Sequence, residues 1–218
     1  MSGSNAVAKS GAKSGAGSAE LVQALVAGGE LTDPDSPRGR LLNAAARLFV
    51  EKGFARTTVR DIAAEVGILS GSIFHHFRSK EAILCQVMRE VTTFARARME
   101  QAVTRERSPR GRLRACILCE LEAIHGRAVP GFTILVSEWR SLSPESQKQV
   151  LRLREGYEQL WREVLADAGR MDDPALARRL LQGALSHSYN WYRPKRQGLS
   201  LDELAGQVLS LFARQGAA

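Results

Sequence analysis

Between residues 60 and 84 the chain reads RDIAAEVGILSGSIFHHFRSKEAIL, two short helical runs broken at Gly67. In the first run, Ile62, Ala63 and Val66 share one face; in the second, Ile73 and Phe77 lie four apart. Gly67 falls at the junction, where a left-handed backbone ends a helix at no steric cost. Ile68 is placed to plug the angle between the two. This is the pattern of a helix-turn-helix, whose second helix enters the DNA major groove. With Ile73 and Phe77 turned to the core, Ser70, Gly71, Ser72, Phe74, His75 and His76 are left on or near the free face. Small residues at the start of that helix let its backbone approach base edges; larger ones further along reach phosphates.

Outward from this stretch, helix starts punctuate the sequence. Ser36-Pro37, Ser108-Pro109, Ser143-Pro144 and Asp173-Pro174 each place a capping side chain before a proline, which is tolerated in the first helical turn. Ser200 to Glu203 reads as a capping box. No segment has the alternation of a strand bounded by turns. The expectation is an all-α protein with helices over 37–53, 58–66, 70–77, 80–106, 109–127, 130–142, 144–169, 174–193 and 201–214. A short helix is expected at 19–28. Leu41, Ala45, Leu48 and Phe49 make the inward stripe of the first long helix. Residues 1–18, rich in Gly, Ser, Ala and Lys, read as a flexible tail in which Lys9 and Lys13 could serve as a minor-groove arm.

The stretch LLNAAARLFVEKGFARTTVRDIAAEVGILSGSIFHHFRSKEAIL resembles the DNA-binding domain of the tetracycline-repressor (TetR) family of bacterial transcription regulators. Several elements agree in order and spacing: an apolar first helix, a KGF…TTV.DIA…G middle and an IFHHF.SKE.L end. The resemblance implies three regions: a tail and linker over 1–35, a three-helix DNA-binding domain over 36–80, and a larger helical domain over 81–218 that binds ligand and dimerises. It implies that Thr58 caps the second helix and touches a phosphate and that Arg60 reaches a base or the backbone. Ser70, Gly71 and Ser72 would face base edges, and His75, His76 and Lys80 would bind phosphates. Two positions depart from the family pattern. Phe74 stands where tyrosine is frequent, so apolar contact, as with a thymine methyl, replaces a hydroxyl contact. Leu69 stands where a serine cap is common, and Ser70 is expected to take over.

The larger half gathers all three tryptophans. Tyr157 and Trp161 lie four apart, as do His187 and Trp191, and an apolar pocket with a few polar groups is the general form of a ligand site. Core packing would leave the same pattern. The segments SEWRSLSPES, LREGYEQLWREVLADA and LLQGALSHSYNWYRPKRQGLSLDELA resemble a TetR subgroup linked to lipid and steroid catabolism, many of whose members sense acyl-coenzyme A thioesters. The ligand residues so implied are Trp139, Arg140, Tyr157, Trp161, Arg162, His187, Trp191 and Arg193, with Arg140, Arg154, Arg162 and Arg193 suited to phosphates. The last two helices, through Leu180, Leu181, Ala184, Leu185, Leu204, Val208, Leu209, Leu211 and Phe212, are the expected homodimer interface, the alternative being that these apolar faces close the core of the single subunit. A palindromic operator would engage one head from each subunit.

Charge and composition fit. The 218 residues carry a formal charge of +8, with an excess of five positive charges between Ser36 and Lys80. Such a surface suits a polyanion. Cys85, Cys116 and Cys119 form no disulfide framework and read as buried thiols of a reducing compartment. Neither a signal peptide nor a membrane-length apolar run is present, which points to the cytoplasm. Adjacent helical side chains point about 100° apart, so His75 and His76 do not make a metal pair. No metal or cofactor is expected. Without GxSxG, HExxH or a phosphate loop, an enzyme is the weaker alternative. A DNA-binding protein that needs no ligand is the other.

Overall fold

The computed structural model describes residues 6–126, 131–168 and 173–212, and among them every regular element is helical. The order is α1 (Ala6–Ala27), α2 (Pro37–Lys52), α3 (Val59–Glu65), a 3-10 recognition helix (Ser70–His75), α4 (Lys80–Thr104) and α5 (Pro109–Ile124). There follow α6 (Ile134–Ser137), a 3-10 turn (Trp139–Ser141), α7 (Pro144–Asp167), α8 (Pro174–Trp191), α9 (Pro194–Gln197) and α10 (Leu201–Phe212). The expected caps are in place. Ser36, Ser108 and Ser143 each accept from a backbone N–H in the first turn, Asp173 accepts from two, and Ser200 and Glu203 cap each other.

Three expectations change. Where composition suggests a tail, α1 begins at Ala6 and runs through Gly11, Gly15 and Gly17, although each glycine disfavours helix by about 1 kcal/mol relative to alanine. Residues 1–5 of that tail lie outside the described residues, as do the ends of the expected helices at 127, 130, 169 and 213–214. The helix expected over 130–142 is instead broken into α6 and the 3-10 turn, with Glu138 between them at φ −112°, ψ 11°. The second helix of the motif is a six-residue 3-10 helix ending at His75, not an α-helix to Phe77.

α4 is the spine. It packs on α2 in the head and on α5 and α7 in the body, while α8 closes over α5 and α7 and α10 covers α5. One apolar core runs unbroken from Leu41 and Phe49 through Ile83, Met88 and Ile117 to Trp161 and Leu209. The head is therefore not a separate bead. Glu81, in the first turn of α4, accepts from the backbone N–H and the hydroxyl of Ser143 at the start of α7. Burial pushes the Glu81 carboxyl up, but hydrogen bonds from Ser146 and Ser143 outweigh it and hold the group below its ordinary range.

Candidate nucleic-acid interface and effector pocket

The head is built from local rules. Thr58 caps α3: its hydroxyl accepts from the Asp61 N–H at 3.1 Å, and the Asp61 carboxylate accepts from the Thr58 N–H at 2.7 Å. Those hydrogen bonds, from the Thr58 backbone first and its hydroxyl second, lower the Asp61 pKa. α3 ends in a Schellman turn. Gly67 has φ +72°, its N–H donates to Ala64 O, and the Ile68 N–H donates to Ala63 O. Ile68 does not plug the angle; its side chain is 38% exposed. Ser70 begins the recognition helix but is not its cap: Leu69 holds that position with no side-chain bond.

Ile73 and Phe77 are buried, and the remaining faces of the helix are open. Phe74 is 57% exposed and so is not a core residue. Gly71 and His75 are exposed, Ser70, Ser72 and His76 half-buried, and Thr58 and Arg60 exposed. A side chain at Gly71 would meet no atom of this chain within 4 Å, and its φ is not positive. Nothing in the fold itself calls for glycine there.

Lys80 corrects the sequence reading. Its ammonium donates to Phe54 O at 2.7 Å and Thr57 O at 2.8 Å and lies 4.1 Å from the Phe54 ring centroid. It is a tie inside the head, satisfying carbonyls left open after α2, rather than a free phosphate ligand. Arg38 plays a related part, donating to His76 O and stacking over Phe77. Arg47 pairs with Glu65.

In the body, α4, α5, α6, α7 and α8 enclose a mostly apolar cavity of about 280 Å³. Ala95, Ile124, Phe132, Leu135 and Val136 line its apolar side. Its polar side is a buried cluster. Glu120 accepts from the Tyr157 hydroxyl at 2.6 Å, Trp161 Nε1 at 3.0 Å and Arg178 Nη2 at 3.4 Å. Arg178 also donates through Nε and Nη2 to Glu158, at 2.8 and 3.1 Å, and its guanidinium carbon lies 4.5 Å from the Trp161 ring centroid. Burial would lower the Arg178 pKa, but the Glu120 and Glu158 carboxylates raise it. Tyr157 is driven well above the ordinary tyrosine range, by burial first and the Glu120 charge second. Phe132, Thr133, Ile124 and Tyr189 also border a wider groove of about 1670 Å³ that runs between α1, α2 and α4.

Of the expected ligand residues, Tyr157 lines the cavity, as does Arg154 among the arginines suited to phosphates. Trp161 stands behind Arg178 as its support, and Arg193 borders the wider groove. Arg162, one residue beyond Trp161, turns to the exposed side of α7. His187 and Trp191 lie on the exposed face of α8, opposite Leu181, Leu185 and Ser188. Trp139 and Arg140 sit in the 3-10 turn after α6 and are not among the cavity residues. Sequence reasoning missed Glu120 and Arg178. The signal was an acidic residue, Glu120, on the same helix face as Cys116, Ile117 and Ile124 in CILCELEAI, and an arginine on the Ala177–Leu181 face. Cys116 and Cys119 are buried beside them. Burial above all raises both thiols, Cys119 to about 11, so neither is a reactive thiolate. No cluster of metal-binding side chains occurs among the described residues.

Comparison with known proteins bears on both halves. Residues 41–87 match the family model described as bacterial regulatory proteins, tetR family, and residues 106–215 match the tetracyclin repressor-like C-terminal domain. The HTH-type transcriptional repressor KstR2 of Mycolicibacterium smegmatis is 33% identical over 187 residues, covering 83% of this chain and 90% of the relative. The crystal structure of a protein described as superantigen PfiT superposes with a TM-score of 0.79 at 47% identity, covering 84% of this chain and all of that one. AibR, in complex with isovaleryl coenzyme A and operator DNA, superposes at 0.69 with 25% identity, covering 81% and 98%. With both of its halves accounted for by matching models and most of its length by a repressor, the chain belongs to the TetR family of bacterial regulatory proteins.

Proposed function

We propose that the protein is a homodimeric transcriptional repressor that binds a palindromic operator and leaves it when a small, largely apolar ligand fills the α4–α8 cavity. The observation that carries the DNA half is the recognition helix: pinned by Ile73 and Phe77, with Phe74 exposed and a glycine at 71 that no contact within the chain requires. Thr58, Arg60, Ser70, Gly71, Ser72, Phe74, His75 and His76 make the contact surface; Lys80 shapes it from within. A dimer is supported by the apolar stripe of α8, where Leu176, Leu180 and Ala184 are exposed, continued by Leu211 of α10. Leu181, Leu185, Leu204 and Leu209 belong to the subunit core instead. A repressor acting on the chromosome works in the cytoplasm, and no described helix is long and apolar enough to cross a membrane.

Ligand and operator communicate by linkage: a ligand favouring the DNA-incompetent arrangement weakens operator binding by the factor that the operator weakens ligand binding. A coupling of about 1–3 kcal/mol gives about 5–150-fold. The covalent neighbours of the pocket supply a route. Leu135 to Ser137 form one wall, and the next residue, Glu138, accepts through Oε1 from the Phe54 N–H at 3.1 Å, at the corner between α2 and α3. A ligand that moves α6 moves that corner. Because AibR holds an acyl-coenzyme A, thioesters of this class are the first to try, with the acyl chain in the cavity and the polar part in the wider groove.

Selection from a randomised duplex pool should return a palindrome bound with a steep salt dependence. Gly71→Val should fold normally and lose that binding, and Glu138→Ala should bind DNA but respond weakly to acyl-coenzyme A. Recovery of no enriched sequence, or full binding by Gly71→Val, would overturn the reading.

A further inference from the structure

Arg178 has one unspent nitrogen, with both of its N–H groups. Its side chain is only 5% exposed, its Nε and Nη2 are held by Glu158 and Glu120, and its Nη1 is buried with no hydrogen-bond partner. A buried donor left unpaired costs about 1–3 kcal/mol. The same residue lines the effector cavity. We propose that Arg178 Nη1 is the polar anchor of the ligand and that it selects an uncharged acceptor, a carbonyl or hydroxyl oxygen on an otherwise apolar molecule, over a carboxylate. This rests on the ligand-responsive reading above and narrows it.

The selectivity follows from charge. Four charged side chains border the cavity as neighbours: Glu120, Glu158, Arg154 and Arg178. Two carboxylates already balance two guanidiniums, and the Arg154–Glu158 pair at 3.9 Å spends the second cation. A ligand carboxylate placed on Nη1 would add a third negative charge to a site with none to spare, and would be desolvated to do so. An uncharged carbonyl or hydroxyl oxygen accepts the hydrogen bond without that penalty. The remaining walls carry no further charge: Phe132, Leu135 and Ile124 are apolar, the Thr92 hydroxyl is already given to Met88 O, and Thr133, Ser137, Gln182, Ser186 and Tyr189 are neutral polar side chains. The ligand chemistry is thus an apolar body with a keto, ester, thioester or hydroxyl oxygen reaching the α7–α8 side.

Three compounds of equal length test this on the full-length protein: octane, 2-octanone and octanoate, at neutral pH. Trp161 lies directly behind the guanidinium, so tryptophan fluorescence reads binding. The expected order is 2-octanone tightest, by about tenfold over octane, with octanoate weakest. Arg178→Lys, which keeps a cation between the two glutamates but lacks Nη1, should bring 2-octanone down to the level of octane. Glu158→Gln needs no change at the arginine and covers the case in which Arg178→Lys does not fold. It leaves the cavity one positive charge in excess and should raise octanoate relative to 2-octanone by about tenfold or more. Octanoate binding best to the unaltered protein, or an unchanged ketone preference in Arg178→Lys, overturns the proposal while leaving a ligand-responsive regulator intact. Failure of all three compounds to bind overturns the proposal and the ligand-responsive reading together.

Discussion

The head and the body of this molecule handle polar groups in opposite ways. In the recognition helix and the residues that follow it, the side chains of Ser70, Ser72, His75 and His76 remain wholly or partly open to water above the two apolar anchors, Ile73 and Phe77. In the body, Glu120, Tyr157, Trp161 and Arg178 are sealed among helices and bonded to one another. A surface that must meet a polyanion leaves its donors free until the partner arrives. A cavity that must recognise a small molecule fixes its donors beforehand and withholds one. The contrast teaches that the same side-chain chemistry serves stability in one region and contact in the other, and substitutions should separate the two.

The largest effect should come from the body. Arg178→Met leaves the buried Glu120 carboxylate without its cation, Glu158 keeping only Arg154 at 3.9 Å, and breaking a buried pair in this way costs about 3–5 kcal/mol. Urea denaturation should show the loss as a lower midpoint with little change in slope. A stability close to that of the unaltered protein would mean that the cluster is wet and the contrast false.

Next is a pair of cations in the head that look alike in sequence. Lys80→Met removes two hydrogen bonds to carbonyls, each worth about 1–3 kcal/mol when the donor is charged, and so should destabilise the fold. Arg60→Ala should leave the melting temperature unchanged, weaken operator binding, and reduce the dependence of log affinity on log salt by about one phosphate contact. If the two variants behave alike, the division between scaffold and contact residues is wrong.

The smallest effect concerns Glu81, which joins the regions. Its folded pKa lies below the ordinary 4.5, so its contribution is present at neutral pH and is lost as pH falls below that value through the folded pKa. Glu81→Gln should therefore flatten the acid limb of the stability curve while changing neutral stability by less than about 1 kcal/mol, since the group is largely solvated. Thermal melts between pH 3 and 7 would show it.

How far the sequence discloses all this depends on the range of the interactions. The caps at Ser36, Ser108, Ser143 and Asp173, the turn at Gly67 and the exposure of Phe74 are set by residues within five positions of one another, and all are legible in the chain. The pocket is not. Tyr157, Glu120 and Arg178 are separated by 37 and 58 positions along the chain from one to the next contact with Glu120, and no periodicity reports such a meeting. Aromatic spacing found the correct face of α7 but the wrong face of α8, because His187 and Trp191 repeat the four-residue interval on the side away from the cavity. Lys80 was misread for a related reason. Its place in the motif is local, but the carbonyls it binds lie 23 and 26 residues earlier.

The Lys80 clamp has a further bearing on regulation. By stitching the first turn of α4 to the corner between α2 and α3, it removes play between the spine and the reading element. A tilt of α4 then carries the reading element bodily, without reshaping it. An effector acting through that spine would dim binding at every cognate site in the genome by a common factor, while the preferred base sequence stayed the same.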